Sequence, residues 1–184
     1  YVWRSHARST ASDISAKPYA IEAGAAAIGA QLERLGLAGK VTAQEKGPGS
    51  YRIRYEISGE PLVSVLIPNK DHVDDLRRCL DSLQKRAGYD RLEVLVIENN
   101  STEQKTFDFY REELPRYGNC RLVRYEGSFN FSAINNLGAQ HAKGEHLLLL
   151  NNDVELLSDG FIRELLMYSQ RPDVGAVGAL LYYP

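Results

Sequence analysis

Residues 144–155, Gly144-Glu145-His146-Leu147-Leu148-Leu149-Leu150-Asn151-Asn152-Asp153-Val154-Glu155, decide how the rest of the chain is read. A continuous apolar run closed by polar residues is the pattern of a strand buried in a parallel sheet. It ends in Asn151, Asn152 and Asp153, three side chains able to bond a metal ion or a sugar. In open α/β sheets, ligands bind outside the carboxyl ends of the strands. Asn and Asp also favour simple turns for local hydrogen-bonding reasons, so the triplet gains weight only from its neighbours.

The flanking chain repeats the same grammar. Leu62 to Ile67 reads as an apolar strand stopped by Pro68, and Asp71 as the cap of a helix carrying Leu76, Leu80 and Leu83 on one face. Leu92 to Ile97 is the next strand, ending in Glu98-Asn99-Asn100-Ser101-Thr102. Ser101 with Gln104 forms a capping-box pattern for a helix over Phe107 to Leu114. Arg121 to Tyr125 is a third short strand, and Ser132 starts a helix through Ile134, Leu137 and His141 that Gly144 stops. After the central strand, Asp159 caps a helix through Phe161, Leu165 and Tyr168, and Val174 to Tyr183 opens a further strand. Strands alternating with helices predict an α/β fold from residue 61 onward, with a mostly parallel, nucleotide-binding-like sheet covered on both faces.

Residues 1–60 read differently. Residues 1–16 lack periodicity, and Trp3, Arg4 and His6 read as a Trp-anchored connecting segment more readily than as a site. Pro18 suits a helix start, Ile21, Ala25, Ile28, Leu32 and Leu35 recur at helical spacing, and Gly36 is a natural stop. Val41 to Gln44 and Tyr51 to Ile57 predict two strands around Lys46-Gly47-Pro48-Gly49. The expected organisation is an accessory helix–hairpin segment over 1–60 and an α/β domain over 61–184.

Composition bounds the function. The 184 residues are 43% hydrophobic and 25% charged, ordinary for a globular protein. A net charge of -2 without a long basic block argues against a nucleic-acid partner. No apolar stretch approaches the ~20 residues of a spanning helix, and no signal peptide precedes the first motif. Cys79 and Cys120 fit no metal spacing and read as buried free thiols of a reducing cytosol. His6, His72, His141 and His146 are dispersed and form no metal cluster. The chain starts without Met and ends at Pro184 with no obvious stop, so it reads as an excised, C-terminally truncated fragment.

Three strand ends carry polar clusters: Pro68-Asn69-Lys70-Asp71, Glu98-Asn99-Asn100-Ser101 and Asn151-Asn152-Asp153. A parallel sheet brings such ends to one rim. Amides and carboxylates there can bond a base and ribose, while a further carboxylate holds a hard divalent cation on a diphosphate. Neither G-x-G-x-x-G after the first strand nor G-x-x-x-x-G-K-[ST] occurs, which weighs against dinucleotide dehydrogenases and P-loop enzymes.

Four stretches in order, Val63 to Asp71 (VSVLIPNKD), Val94 to Thr102 (VLVIENNST), Phe129 to Gly144 (FNFSAINNLGAQHAKG) and Leu147 to Val154 (LLLLNNDV), resemble the family-2 glycosyltransferases. The resemblance is closest to bacterial members that build O-antigen, rhamnan and other cell-surface polysaccharides, and covers residues 61–184. WRSHARSTA and Lys17-Pro18-Tyr19-Ala20 resemble a segment joining two such domains, which implies further glycosyltransferase domains in a parent chain.

The resemblance implies an inverting enzyme of the A-type glycosyltransferase fold. Its donor would be a UDP- or dTDP-linked sugar, its cofactor Mn²⁺ or Mg²⁺, and its acceptor a saccharide or lipid-linked saccharide. It implies a cytoplasmic location, peripheral at the inner membrane face. By position, Pro68, Asn69 and Asp71 would line the nucleotide pocket. Glu98 would recognise base or ribose, with Asn99 and Asn100 completing that loop. Asn151-Asn152-Asp153 matches the D-x-D metal motif, with Asp153 the metal ligand and Asn151, in place of the usual Asp, left to bond a ribose hydroxyl. Asn130 and Asn136 would support the donor site or else cap and pack their helix. The general base would lie past the next strand, with no clear candidate before Pro184, so the resemblance implies a fragment that binds donor yet lacks activity alone. The competing reading is a non-catalytic nucleotide- or carbohydrate-binding module of the same fold. A sugar-phosphate nucleotidyltransferase should show a Gly-rich loop after the first strand, and Pro68-Asn69-Lys70-Asp71 is not one.

Overall fold

A computed structural model describes residues 18–44 and 49–183. The Trp3, Arg4 and His6 segment, Lys17, the Lys46-Gly47-Pro48 part of the expected turn and Pro184 lie outside them. The chain divides into two compact units, Tyr1–Glu56 and Ile57–Pro184.

In the first unit, helix α1 (Pro18–Arg34) is followed by an antiparallel hairpin, β1 (Gly39–Ala43) and β2 (Tyr51–Tyr55). Gly36 ends the helix region at φ 65°, and the Leu37 N–H returns to the Leu32 carbonyl at 2.9 Å. Leu32 is buried, whereas Leu35, expected on the same face, is 59% exposed because it sits beyond the last helical turn.

The second unit is an α/β layer structure. Its elements are β3 (Val63–Asn69), α2 (Val73–Arg86), β4 (Leu92–Glu98), α3 (Gln104–Glu112), β5 (Cys120–Arg124), α4 (Phe131–His141), β6 (His146–Leu149) and α5 (Phe161–Ser169). A single 3₁₀ turn, Leu114–Tyr117, follows α3. The four strands form one parallel sheet in the order β5-β4-β3-β6. Alternate β3 residues explain why its apolar run is unbroken. Val65 and Ile67 pack with Leu76, Leu80 and Phe109 from α2 and α3, while Leu66 packs with Ile134 of α4 on the other face. Arg77 of α2 pairs both nitrogens with the Glu113 carboxylate at 3.0 Å and lies over the Phe109 ring, tying α2 to α3.

The structure corrects five of the expectations. The run Leu147 to Leu150 does not build the central strand. β6 lies at the edge of the sheet, with Leu147 and Leu149 about half exposed, and β3 and β4 are the inner strands. An apolar run marks strand propensity but not strand order. Second, Pro68 does not stop β3. Even-numbered β3 residues turn their backbone groups toward β6, as Leu66 does in accepting the Leu150 N–H at 3.0 Å. The β6 ladder has ended by Leu66, so the missing N–H of Pro68 breaks no rung.

Third, the three predicted caps form elsewhere. Asp71 does not cap α2, whose N-cap is His72. Ser101 and Gln104 make no capping box, because α3 starts only at Gln104. Asp159 pairs with Arg86 at 2.7 Å, and Gly160 is the N-cap of α5. Fourth, Val174 to Tyr183 forms no strand. Leu180, Leu181, Tyr182 and Tyr183 are exposed there and have no strand beside them. Fifth, Cys79 is buried as expected but Cys120, the first residue of β5, is only half-buried. Among the described residues no helix is long and apolar enough to cross a membrane.

Gly144 lets the chain enter β6. A Cβ at this position would lie 2.6 Å from the Ser64 nitrogen and 2.7 Å from the Leu62 carbonyl oxygen. The Gly144 N–H donates to Ser64 Oγ at 2.8 Å, and Ser64 in turn donates to Glu93. Glu93 also accepts from the Lys143 N–H and pairs with Arg121 at 3.4 Å. Burial alone would raise the Glu93 carboxyl, but these donors outweigh it and hold the group below the usual carboxylate range.

Candidate functional site

The strand order locates the site. The chain winds outward through β3, β4 and β5, then crosses back to place β6 on the far side of β3. The carboxyl ends of β3 and β6 therefore flank the point where the winding reverses, which is where open α/β sheets hold their ligands. A cleft of about 290 Å³ opens there. Pro68, Asn69, Lys70 and His72 line it from β3, Asn151, Asn152 and Asp153 from β6, Asn99 from β4, and Phe129, Phe131 and Ile134 from the start of α4. A slightly larger cavity, about 330 Å³, lies by the opposite strand ends among Leu80, Leu83, Leu92 and Asn119, and none of the carboxyl-end groups reaches it.

Asn69 is the hub of the cleft and is 2% exposed. Its Nδ2 donates to the Tyr110 hydroxyl at 2.7 Å and to the Asp71 carbonyl at 3.0 Å, and its Oδ1 accepts from Asn152 Nδ2 at 2.7 Å. One side chain thus joins the ends of β3 and β6 to helix α3. Burial pushes the Tyr110 hydroxyl up to about 12, so it stays protonated.

Asp71 turns its carboxylate away from the cleft. It accepts the N–H groups of Thr102 and Glu103 at 2.8 and 2.9 Å, while its own N–H donates to Ser101 Oγ at 2.9 Å. Asp71 and His72 both sit in the left-handed region, at φ 54° and 49°. That conformation costs a non-glycine residue roughly 1–3 kcal/mol, and here the bonds to Asp71 on every side hold it. Burial alone would raise the Asp71 carboxyl, but the Glu103 and Thr102 N–H groups, the Thr102 hydroxyl and the Lys70 charge keep it low.

Glu98 is buried, does not line the cleft, and accepts the Ser101 N–H at 2.5 Å. Asn99 is also buried. It donates to the carbonyls of Tyr125 and Gly127 at 3.2 and 2.9 Å, and Asn100 reaches Gly127 at 2.8 Å. These amides fix the loop that carries Phe129. Asn130 caps α4, its Oδ1 accepting the Ala133 N–H at 3.0 Å, which is the helix-capping alternative. Asn136 is exposed on α4. Its neighbour Asn135 is the buried one, with Oδ1 lacking a partner.

Asn151 and Asp153 are exposed at the cleft, with the Asn151 carbonyl accepting from Cys79 Sγ at 3.6 Å. Among the described residues Asp153 is the only carboxylate lining the cleft. One carboxylate beside amide oxygens suits a hard divalent cation that keeps waters and takes further oxygens from a bound phosphate. Among the described residues no group of three His, Cys, Asp or Glu side chains is placed to hold a metal without such help. The structure thus brings Pro68, Asn69, Asn99, Asn151 and Asp153 to one cleft and places Asp71, Glu98, Asn100 and Asn130 behind it as bonding partners of its loops. Lys70 and Asn152, which the sequence places in the strand-end clusters, line the cleft as well, and His72, Phe129, Phe131 and Ile134 join them without having been read as site residues. Nothing local marks these four.

The glycosyl transferase family 2 model matches residues 64–184. The chain is 42% identical over 167 residues to the O-antigen biosynthesis protein RfbC of Myxococcus xanthus, covering 90% of this chain and 13% of that protein. It is 38% identical over 186 residues to the uncharacterized protein y4gI of Sinorhizobium fredii, covering 100% of this chain and 20% of that one. The chain therefore spans a fifth or less of these relatives. Among solved structures, the mannosyltransferase PcManGT from Pyrobaculum calidifontis, in complex with GDP-Man and Mn²⁺, superposes with a TM-score of 0.58 at 21% identity, over 65% of this chain and 35% of that one. The fold is that of the A-type glycosyltransferases, and on the family match the chain belongs to glycosyl transferase family 2.

Proposed function

We propose that the cleft between β3 and β6 binds a nucleotide-diphosphate sugar and that the second unit is the donor-binding part of an inverting glycosyltransferase acting in bacterial cell-surface polysaccharide synthesis. The observation that carries this reading is the placement of Asp153, alone among the described carboxylates, in a cleft lined by amides, two phenylalanine rings and the basic Lys70 and His72 at the point where the sheet reverses. Amides suit the neutral, hydroxyl-rich parts of such a donor.

Asp153, with Asn151 beside it, would hold Mn²⁺ or Mg²⁺, which supplies charge neutralisation on the leaving diphosphate. Pro68, Asn69 and Asn99 border the nucleotide. Asp71, Glu98, Asn100 and Asn130 act as positioning residues that fix the loops, and Asn136 flanks the site from α4. In the reaction, the acceptor hydroxyl bonds to the anomeric carbon as the bond from that carbon to the diphosphate oxygen breaks. The hydroxyl proton passes to a general base, and the configuration inverts. Asp153 being committed to the metal, we assign the base to a residue outside this cleft lining. A saccharide or lipid-linked saccharide acceptor, reached at the inner membrane face from the cytoplasm, completes the proposal.

The test is a thermal-shift titration with UDP, dTDP and GDP, each with and without Mn²⁺, on the chain and on Asp153→Ala. A ligand specific for the native state at a hundredfold excess over its Kd adds about 2.7 kcal/mol of apparent stability. A metal-enhanced shift with one nucleotide that Asp153→Ala loses supports the reading. No shift with any nucleotide overturns it.

A further inference from the structure

A divalent cation on Asp153 would not by itself balance the charge of a bound diphosphate. Lys70 and His72 are the basic side chains there and Asp153 the acidic one. His72 leans toward Asp75, 3.7 Å away across the first turn of α2. Lys70 is exposed, and both its chain neighbour Asp71 and Glu103, which Asp71 bonds, are already engaged. The Asp71 carboxylate takes the Thr102 and Glu103 N–H groups, and Glu103 pairs with Lys105 at 3.1 Å. Among the described residues no carboxylate lies at ion-pairing distance from Lys70.

The backbone on both sides of Lys70 is fixed. Asn69 is bonded through both ends of its amide, and Asp71 through its N–H, carbonyl and carboxylate. The ammonium therefore hangs from a fixed backbone, in a residue that lines the same cleft as Asn151, Asn152 and Asp153. A divalent cation held by a single carboxylate leaves a nucleotide-sugar diphosphate short of neutralisation by about one positive charge. Lys70 carries that charge on a flexible stem suited to a phosphate as a point charge.

Resting on the donor reading above, we infer that Lys70 is a diphosphate-binding residue that carries a metal-independent share of donor affinity. Donor binding in this cleft then survives metal removal in weakened form, and what survives depends on Lys70.

The experiment is isothermal titration of UDP, dTDP and GDP, of the matching nucleosides and of inorganic pyrophosphate. It is run in EDTA and again in Mn²⁺, on the chain, Lys70→Met and Lys70→Arg. In EDTA the unsubstituted chain should bind diphosphates more tightly than nucleosides. Lys70→Met should lose about tenfold in diphosphate affinity, the worth of a charge-assisted bond. Nucleoside affinity should not change, and Lys70→Arg should recover most of the loss. Because Lys70 is exposed, the melting temperature without ligand should match in all three. Equal diphosphate affinity of the chain and Lys70→Met in EDTA overturns the inference while leaving the donor reading intact. So does equal affinity of the chain for diphosphate and nucleoside. If the unsubstituted chain binds no nucleotide even with Mn²⁺, the donor reading itself falls and the inference with it.

Discussion

Asn152 donates its side-chain amide to Asn69 Oδ1 at 2.7 Å, joining two strand ends beyond the last backbone pair of β3 and β6. Asn152→Ala would leave the buried Asn69 oxygen without its donor, which costs about 1–3 kcal/mol. Asn69→Ala removes the partners of both Asn152 and Tyr110 and should cost more. Urea unfolding of the two single variants and the double variant checks this. A coupling of about 0.5–3 kcal/mol is expected for groups in one network, and strict additivity would refute the link.

Asp71 and Glu93 make stability depend on acid. Both carboxyls are held below their ordinary range in the folded chain, so the charged form favours folding. Their contribution is complete above the unfolded value of about 4 and is lost as pH falls through the lower folded value. Glu93→Gln should therefore flatten the loss of stability below about pH 4 in urea midpoints measured from pH 6 to 2. An unchanged slope would mean that Glu93 is not held low.

Gly144→Ala places a methyl group against main-chain atoms of Leu62 and Ser64, which cannot swing aside as a side chain could. A loss of about 1–3 kcal/mol is expected from such overpacking, read as a lowered melting temperature. A melting temperature equal to that of the unsubstituted chain would show that the approach is looser than described.

Asn151→Asp adds a second carboxylate at the cleft. In the presence of whichever nucleotide binds, it should tighten Mn²⁺ by about tenfold or more, while Asp153→Asn should abolish the metal's effect. Titration of Mn²⁺ followed by electron paramagnetic resonance reads both. No gain from Asn151→Asp would separate residue 151 from the metal.

Burial pushes the Cys79 thiol up to about 12, with the Asp153 charge adding to it, and burial does the same for Cys120. Neither forms much thiolate at pH 8. Reaction with a disulfide reagent should be slow in the native chain and fast in urea, with Cys79 the slower of the two. Rapid native labelling of Cys79 would contradict its burial.

The expectations that succeeded and failed divide along one line. β3 and β4 are legible because Val65 to Ile67 and Val94 to Ile97 are apolar without a break, and only a strand covered on both faces needs that. The residue types of the caps were equally visible, but their partners were not. Asp71 bonds Thr102 and Glu103, thirty-odd positions away, and Asp159 bonds Arg86. Cap propensity is local, and the choice among available N–H groups and cations is made by the assembled fold. The same holds for the cleft. Asn69, Asn99, Asn151 and Asp153 follow from the rule that strand ends share a rim. Phe129 and Phe131 do not, because their place depends on Asn99 and Asn100 reaching across to Gly127. Strand order was hidden for a similar reason. Four leucines in a row read alike at the centre and at the edge of a sheet.

Pro68 deserves a last consideration as a spacer. A residue with an N–H at this position would offer β6 another rung, and the two strands could pair further toward their carboxyl ends. The two strands are unpaired beyond Leu66, where Pro68 has no N–H to offer, and the Asn69–Asn152 side-chain bond is the tack between their ends. The opening between these strand ends thus lies where the proline has no hydrogen to offer.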